Sequence, residues 1–235
     1  MNAIIYGRAQ FVSFRKGDPE GNRWIDNDQL FINWSHENVI WLFDNSGKRA
    51  PNMPVIRNPG SYFTSGLTYN IHARGVLLKS KLLQNCIFDA SASMLSPVTK
   101  NVPPSYLLAL LNSHVVSFYI KKFLNNTWHE ISDLRRIPIV IPTPKTLKHF
   151  EELVRCAFDA KRLIFANATP PNELVARVRA LSDELAANAP AYLRPSAQLK
   201  LLHTAADCLA VLELAVNWEA EKLYGVEGLG TFDEF

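Results

Sequence analysis

The sequence predicts an α+β protein: a mixed α/β domain over residues 1–144, then a helical C-terminal region over residues 145–235. Three observations predict it. Short runs of β-branched and aromatic residues, cut by Gly and Pro, fill the first part. Apolar residues at helical spacing fill the second. The texture changes at the prolines Pro138, Pro142 and Pro144. With 48% hydrophobic and 20% charged residues, the 235-residue chain can bury a substantial core and lacks a disordered composition.

In chain order, AIIY (3–6), AQFVSF (9–14) and QLFINW (29–34) read as strands. The breaker cluster from Gly17 to Asn22 predicts a loop that projects Arg15, Lys16 and Arg23 outward. Ser35–Asn45 predicts a short helix with Ser35 as N-cap and with Trp41, Leu42 and Phe43 packed in a core. Pro51–Pro59 is a loop. Residues 62–80 read as strands broken at Gly66 and Gly75, where glycine permits turns, and residues 85–95 as a further strand and turn.

Ser105 is placed to cap a helix reaching Leu124. Its stretch Tyr106–Leu124 is apolar-rich but carries Asn112, Ser113 and His114 in its middle, so it reads as a buried helix and not as a membrane span. DLRRIPIVIPTP (133–144) predicts a short edge strand or a linker, because its prolines exclude a central strand. Leu147–Ala166, Asn172–Ala187 and Ser196–Tyr224 are helical, and Gly225 stops the last of them.

Cys86, Cys156 and Cys208 are odd in number, widely spaced and without a CxxC, which argues against a disulfide framework or a zinc site and fits small buried residues in a reducing cytoplasm. The N-terminal MNAIIYGRAQ lacks the features of a secretory signal.

Motifs for chemistry are missing. The only Asn-Pro, Asn58-Pro59, is followed by Gly60 and Ser61, so no Asn-Pro-Pro-aromatic loop is present to hold a base amino group. Gly228 and Gly230 follow helices, where a cofactor-binding turn would follow a strand. Asp159-Ala160-Lys161 has the spacing of a nuclease pair but lies in a helical pattern, so it reads as a solvated helix face. The six histidines have no metal-ligand spacing, and His203 reads as a partly buried residue.

Charge is uneven. The net +3 divides into +7 over residues 1–145 and −4 over residues 146–235. A basic front suggests a polyanion partner, against the plain alternative of solubilising charge. The candidate contacts to double-stranded DNA are Arg15, Lys16, Arg23, Arg57, Tyr69, Asn70, Arg74, Lys79, Lys81, Lys121, Lys122, Arg135 and Arg136, several beside Trp24, Tyr62 or Trp128. Lys and Arg suit phosphates, Arg suits guanine edges and Asn suits adenine edges.

Three stretches carry a family resemblance: FTSGLTYN (63–70) with CIFDASASMLSP (86–97), YLLALLNSHVVSFYIKKFL (106–124) with HEISDLRRIPIVIP (129–142), and EAEKLYGV (219–226). Their order resembles the C-terminal target-recognition region of adenine-specific DNA methyltransferases with a TaqI-like specificity domain, including fused restriction–modification enzymes and phage-defence systems. FVSFRKGDPEGNRWIDN (11–27) is similar to the entry of that region.

The resemblance implies a cytoplasmic module that reads DNA while a separate catalytic domain or subunit binds S-adenosylmethionine, flips the adenine and methylates it. No cofactor is expected on this chain, and it is expected to be inactive alone. Two other readings stay open: half of a type I restriction specificity subunit, and a helical protein-interaction module indifferent to DNA.

Overall fold

The computed structural model describes residues 10–18, 22–27, 30–71, 78–97, 99, 101–123, 129–226 and 228–229. The AIIY run, Gly75 and Trp128 lie outside them. Among the described residues the architecture is α+β, with two three-stranded sheets and seven α-helices.

The first sheet has the order β2-β1-β5, from Leu30–Asn33, Phe11–Arg15 and Ile87–Phe88. β1 pairs antiparallel with β2 and parallel with β5. Helix α1, His36–Asn45, follows β2 directly, and the Ser35 hydroxyl accepts the Asn38 N–H at 3.4 Å. The second sheet has the order β4-β3-β6, from Ser80–Gln84, Ser65–Tyr69 and Met94–Leu95. Asn85, at φ +46, turns the chain from β4 in one sheet toward β5 in the other. Gly66 lies inside β3 and not at a break. A Cβ there would sit 2.9 Å from the Leu95 carbonyl and 2.7 Å from Met94 Cγ, so glycine is what lets β6 approach.

Helices α2 (Pro104–Leu111) and α3 (His114–Phe123) replace the single helix expected, and Pro103, not Ser105, holds the N-cap position. The break is a tertiary effect. Asn112 Oδ1 accepts the Ser80 N–H at 2.8 Å while its Nδ2 donates to the Ser80 carbonyl at 2.9 Å, and the His114 N–H donates to Asn217 Oδ1 at 3.0 Å. Side chains spent on distant backbone interrupt the helix where its own sequence favours continuity.

The I-P-I segment is not a strand. After the short α4 (Ile131–Leu134), residues 135–137 turn, and residues 138–143 run without regular secondary structure to the Thr143 cap of α5. Their carbonyls have no sheet partner, so tyrosines serve them: Tyr119 donates to Arg136 (3.1 Å), Tyr224 to Pro138 (2.7 Å) and Tyr106 to Val140 (2.6 Å).

The rest is helical: α5 (Pro144–Phe165), α6 (Asn172–Asn188) and α7 (Ala205–Tyr224). The last helix starts at a Thr204–Asp207 capping box, nine residues later than Ser196, and ends on Gly225 at φ +61. Before it, residues 199–201 form one 3-10 turn, and His203 is exposed.

Two apolar clusters result. The larger joins Trp24, Leu67 and Leu78 to residues of α2, α3, α5, α6 and α7, so it draws on both sides of position 144. Phe150, fully buried, meets Tyr106 edge to face at 5.3 Å. The smaller holds Val12, Trp34, Val39, Tyr62, Leu83, Cys86, Ile87, Phe88 and Ala92. Of the α1 side chains expected in a core, Leu42 and Phe43 pack against this cluster, but Trp41 remains 47% exposed. All three cysteines are free and buried, and burial raises their thiol pKa values, that of Cys86 to about 11.

Candidate nucleic-acid interface

The candidate residues divide by environment. Lys16, Arg57, Lys122, Arg135 and Arg136 are exposed. Arg15, Arg23, Lys79 and Lys121 are half-buried, and Arg74 lies outside the described residues. Tyr69, Asn70 and Lys81 face the interior.

The inward three have structural explanations. The Lys81 ammonium lies between Asp18, at 3.3 Å, and Asp26, so it pins the 16–27 loop to β4 and is not a cation presented by a loop. Asn70 Oδ1 accepts the Lys79 N–H at 2.7 Å and closes the end of the β3–β4 ladder. The Tyr69 hydroxyl is buried, and desolvation, with Asp133 and Glu130 nearby, pushes its pKa up to about 12.

Arg23 also departs from expectation. It pairs with Glu213 of α7 at 3.1 Å, and the adjacent Trp24 indole N–H donates to the same carboxylate at 2.9 Å. Arg23 and Trp24 thus dock on the helical region instead of projecting, while Lys16 is exposed. Trp24 adopts φ +73, a region costly for a bulky residue. Backbone bonds on both of its sides hold it there, from Trp24 N–H to the Ser80 carbonyl and from Leu82 N–H to the Trp24 carbonyl.

One hydrogen bond, from the Tyr119 hydroxyl to the Arg136 carbonyl, ties α3, whose last turn carries Lys121 and Lys122, to the segment that carries Arg135 and Arg136. Lys122, Arg135 and Arg136 are all exposed. Arg57 lines a small groove with Asn58, Ser61, Phe88, Ser93 and Ile131, the last from the helix that leads into Arg135. A different cleft, of 490 Å3, contains Arg15, Asn27, Gln84, Arg162 and Phe165. Sequence reading overlooked Arg162, Gln84 and Asn27. The signal available was a basic residue and an aromatic, Arg162 and Phe165, in the last turn of an amphipathic helix.

Among the described residues no group of three or more His, Cys, Asp or Glu is arranged to hold a metal ion. Asp159 and Lys161 lie within α5, as their helical pattern requires. Asp159 pairs with Arg162 at 3.3 Å, while Lys161 is half-buried and reaches Asn22 at 3.4 Å, so only Asp159 belongs to a solvated face. Gly228 follows α7, and its N–H goes to the Tyr192 hydroxyl at 2.8 Å, which is not the strand-to-helix turn that cradles a nucleotide cofactor. No described helix is long and apolar enough to cross a membrane.

Fold and site together define an α+β module with cations displayed at loop and helix ends around a helical core. The family model of the TaqI-like C-terminal specificity domain matches residues 81–139, from β4 through α2, α3 and α4 to the I-P-I segment. This is the resemblance read from the sequence, located on the fold. No curated protein matches the chain.

Proposed function

We propose that this chain is the DNA-reading part of an adenine-specific methyltransferase of a restriction–modification or phage-defence system. One observation carries the reading: the specificity-domain match spans residues 81–139 and so includes Lys121, Lys122, Arg135 and Arg136, on two segments tied by the Tyr119–Arg136 bond. Cations held at the ends of short helices suit phosphate contacts that set register on a duplex, while amide and guanidinium groups nearby read base edges.

Flipping an adenine costs a few kcal/mol of unstacking, and contacts elsewhere on the duplex must supply it. The chain's part is that grip. A separate catalytic domain or subunit binds S-adenosylmethionine and transfers the methyl group.

The experiment is a salt titration of duplex binding by fluorescence anisotropy. Affinity falls with a log–log slope of about −0.9 per phosphate contacted. Replacing Arg135 and Arg136 by Ala weakens binding and flattens the slope by up to about 1.8. Binding that ignores salt in the unaltered chain defeats the proposal and leaves the protein-interaction reading in its place.

A further inference from the structure

We infer that the chain grips the duplex at a second place, the 490 Å3 cleft between β1, β4 and the end of α5, and that Arg162 of the helical region is a DNA contact. This rests on the DNA-reading role proposed above and extends it to a region that the charge distribution left out.

The residue types are those that nucleic-acid recognition uses. Arg15 and Arg162 offer guanidinium groups to phosphate, Asn27 and Gln84 offer amides to base edges, and the Phe165 ring gives an apolar wall. The lining carboxylate, Asp26, shares the Lys81 ammonium with Asp18, and Lys161 is near enough to feel both carboxylates. An anion entering the cleft therefore meets two guanidinium groups beside a carboxylate whose charge is partly offset by these lysines.

The walls are held rigidly. Lys81 ties the loop carrying Asn27 to β4, the strand that carries Gln84. Arg23 and Trp24 anchor the same loop to Glu213 of α7, and Lys161, next to Arg162, reaches Asn22 at the loop's far side. A cleft assembled by bonds this distant in sequence presents its polar groups in fixed geometry, which lowers the ordering cost of binding.

Arg162 is the movable member. Its side chain is 67% exposed, and its pair with Asp159 is an i,i+3 surface contact that exchanges readily for phosphate. It also lines an adjoining groove with Arg155 and Arg177, where Asp159, Glu173 and the nearby Glu152 pair with the guanidinium groups, so the free positive charge lies in the cleft and not beyond it.

The test uses the full chain and a pool of random-sequence duplexes. Arg162→Ala should reduce the salt slope by about 0.9, Arg162→Lys should restore it, and Arg15→Ala with Arg162→Ala should reduce it by about 1.8. Asn27→Ala and Gln84→Ala should leave the slope intact but change which sequences the chain retains from the pool. Circular dichroism checks that each variant folds, and Arg162, being exposed, keeps the test valid if the Arg15 variant does not. If the unaltered chain binds with a steep slope while the Arg162, Asn27 and Gln84 variants match it in slope and in retained sequences, the cleft is not a DNA site and the recognition role survives. If the unaltered chain shows no salt-dependent binding, both ideas fall together.

Discussion

The two apolar clusters solve the burial of polar and aromatic groups differently. In the helical cluster, buried polar groups at the seam of α3 and α7 are closed by one another. His114 Nε2 lies 2.8 Å from Glu221, the Tyr192 hydroxyl reaches both oxygens of the same carboxylate, and Asn217 takes the His114 N–H. Burial lowers the pKa of His114, against the opposing pull of that carboxylate. In the sheet cluster the interior is aromatic, with Trp34 edge-on to Tyr62 and Phe63, and Tyr62 edge-on to Phe88.

The sheet cluster also stops short of covering itself. Register places Ser13 opposite Phe31 and Phe11 opposite Asn33, on the face away from Val12 and Ile32. Phe11 and Phe31 stay 57% and 60% exposed, and Ile40 and Trp41 of α1 stay open as well. The lesson is a division of labour: the helical cluster supplies stability and fixed geometry, and the smaller unit keeps surface available.

The comparison breaks most visibly if the helical cluster is not the main source of stability. Phe150→Ala should cost about 3–5 kcal/mol and shift the entire urea transition followed by circular dichroism. Trp34→Ala, about 3 kcal/mol at the low end of that range, should act locally. Hydrogen exchange should rise over β1, β2 and α1 while α5 and α7 keep their protection. A uniform rise would mean that the two clusters unfold as one.

Between the clusters, Gly66→Ala should cost about 1–3 kcal/mol by driving a methyl group into the Leu95 carbonyl and Met94. Limited proteolysis near β6 should detect the loosened strand. If cleavage there is unchanged, the close approach of β6 is not constrained as described.

Acid sharpens the contrast further. Burial lowers the pKa of both His114 and His129 below the ordinary 6.5. The unfolded chain then takes up protons first as pH falls through about 6.5, and folded stability declines from there down to the folded pKa values. Above that window the contribution is fully present. The slope should approach about 1.4 kcal/mol per pH unit for each histidine, read as urea midpoints against pH, and His129→Gln should remove its share. The smallest effect belongs to the solvated face of α5. Arg155→Ala, which breaks an exposed pair with Glu152 at 2.6 Å, should change stability by no more than about 1 kcal/mol.

Much of the fold was legible. The Ser35 cap, the α5 and α6 periods, the Gly225 stop and the buried free cysteines all follow from local rules. So does the specificity-domain resemblance, which the family match places at residues 81–139. The candidate interface was legible only in part. Exposed Arg57, Lys122, Arg135 and Arg136 sit where a loop or helix end displays them. Lys81, Tyr69 and Asn70 have the same composition signal but turn inward, because residues remote in sequence supply their neighbours. Arg162 carried only a weak local signal, a basic residue one turn before Phe165 at the end of α5, which the acidic balance of the helical region masked.

The sequence by itself determined the α+β class, the helix periods, the Ser35 and Gly225 caps and the approximate place of most strands, because these depend on interactions within a few residues. Tertiary structure alone decided the break between α2 and α3, the irregular I-P-I segment, the docking of the Arg23–Trp24 loop on α7 and the cleft that joins Arg15 to Arg162. Each of these depends on a hydrogen bond, ion pair or cleft wall shared by groups tens to nearly two hundred residues apart, as in the Trp24–Glu213 contact with its separation of 189. No local pattern encodes such a pairing, because the partner exists as a neighbour only after the chain has folded.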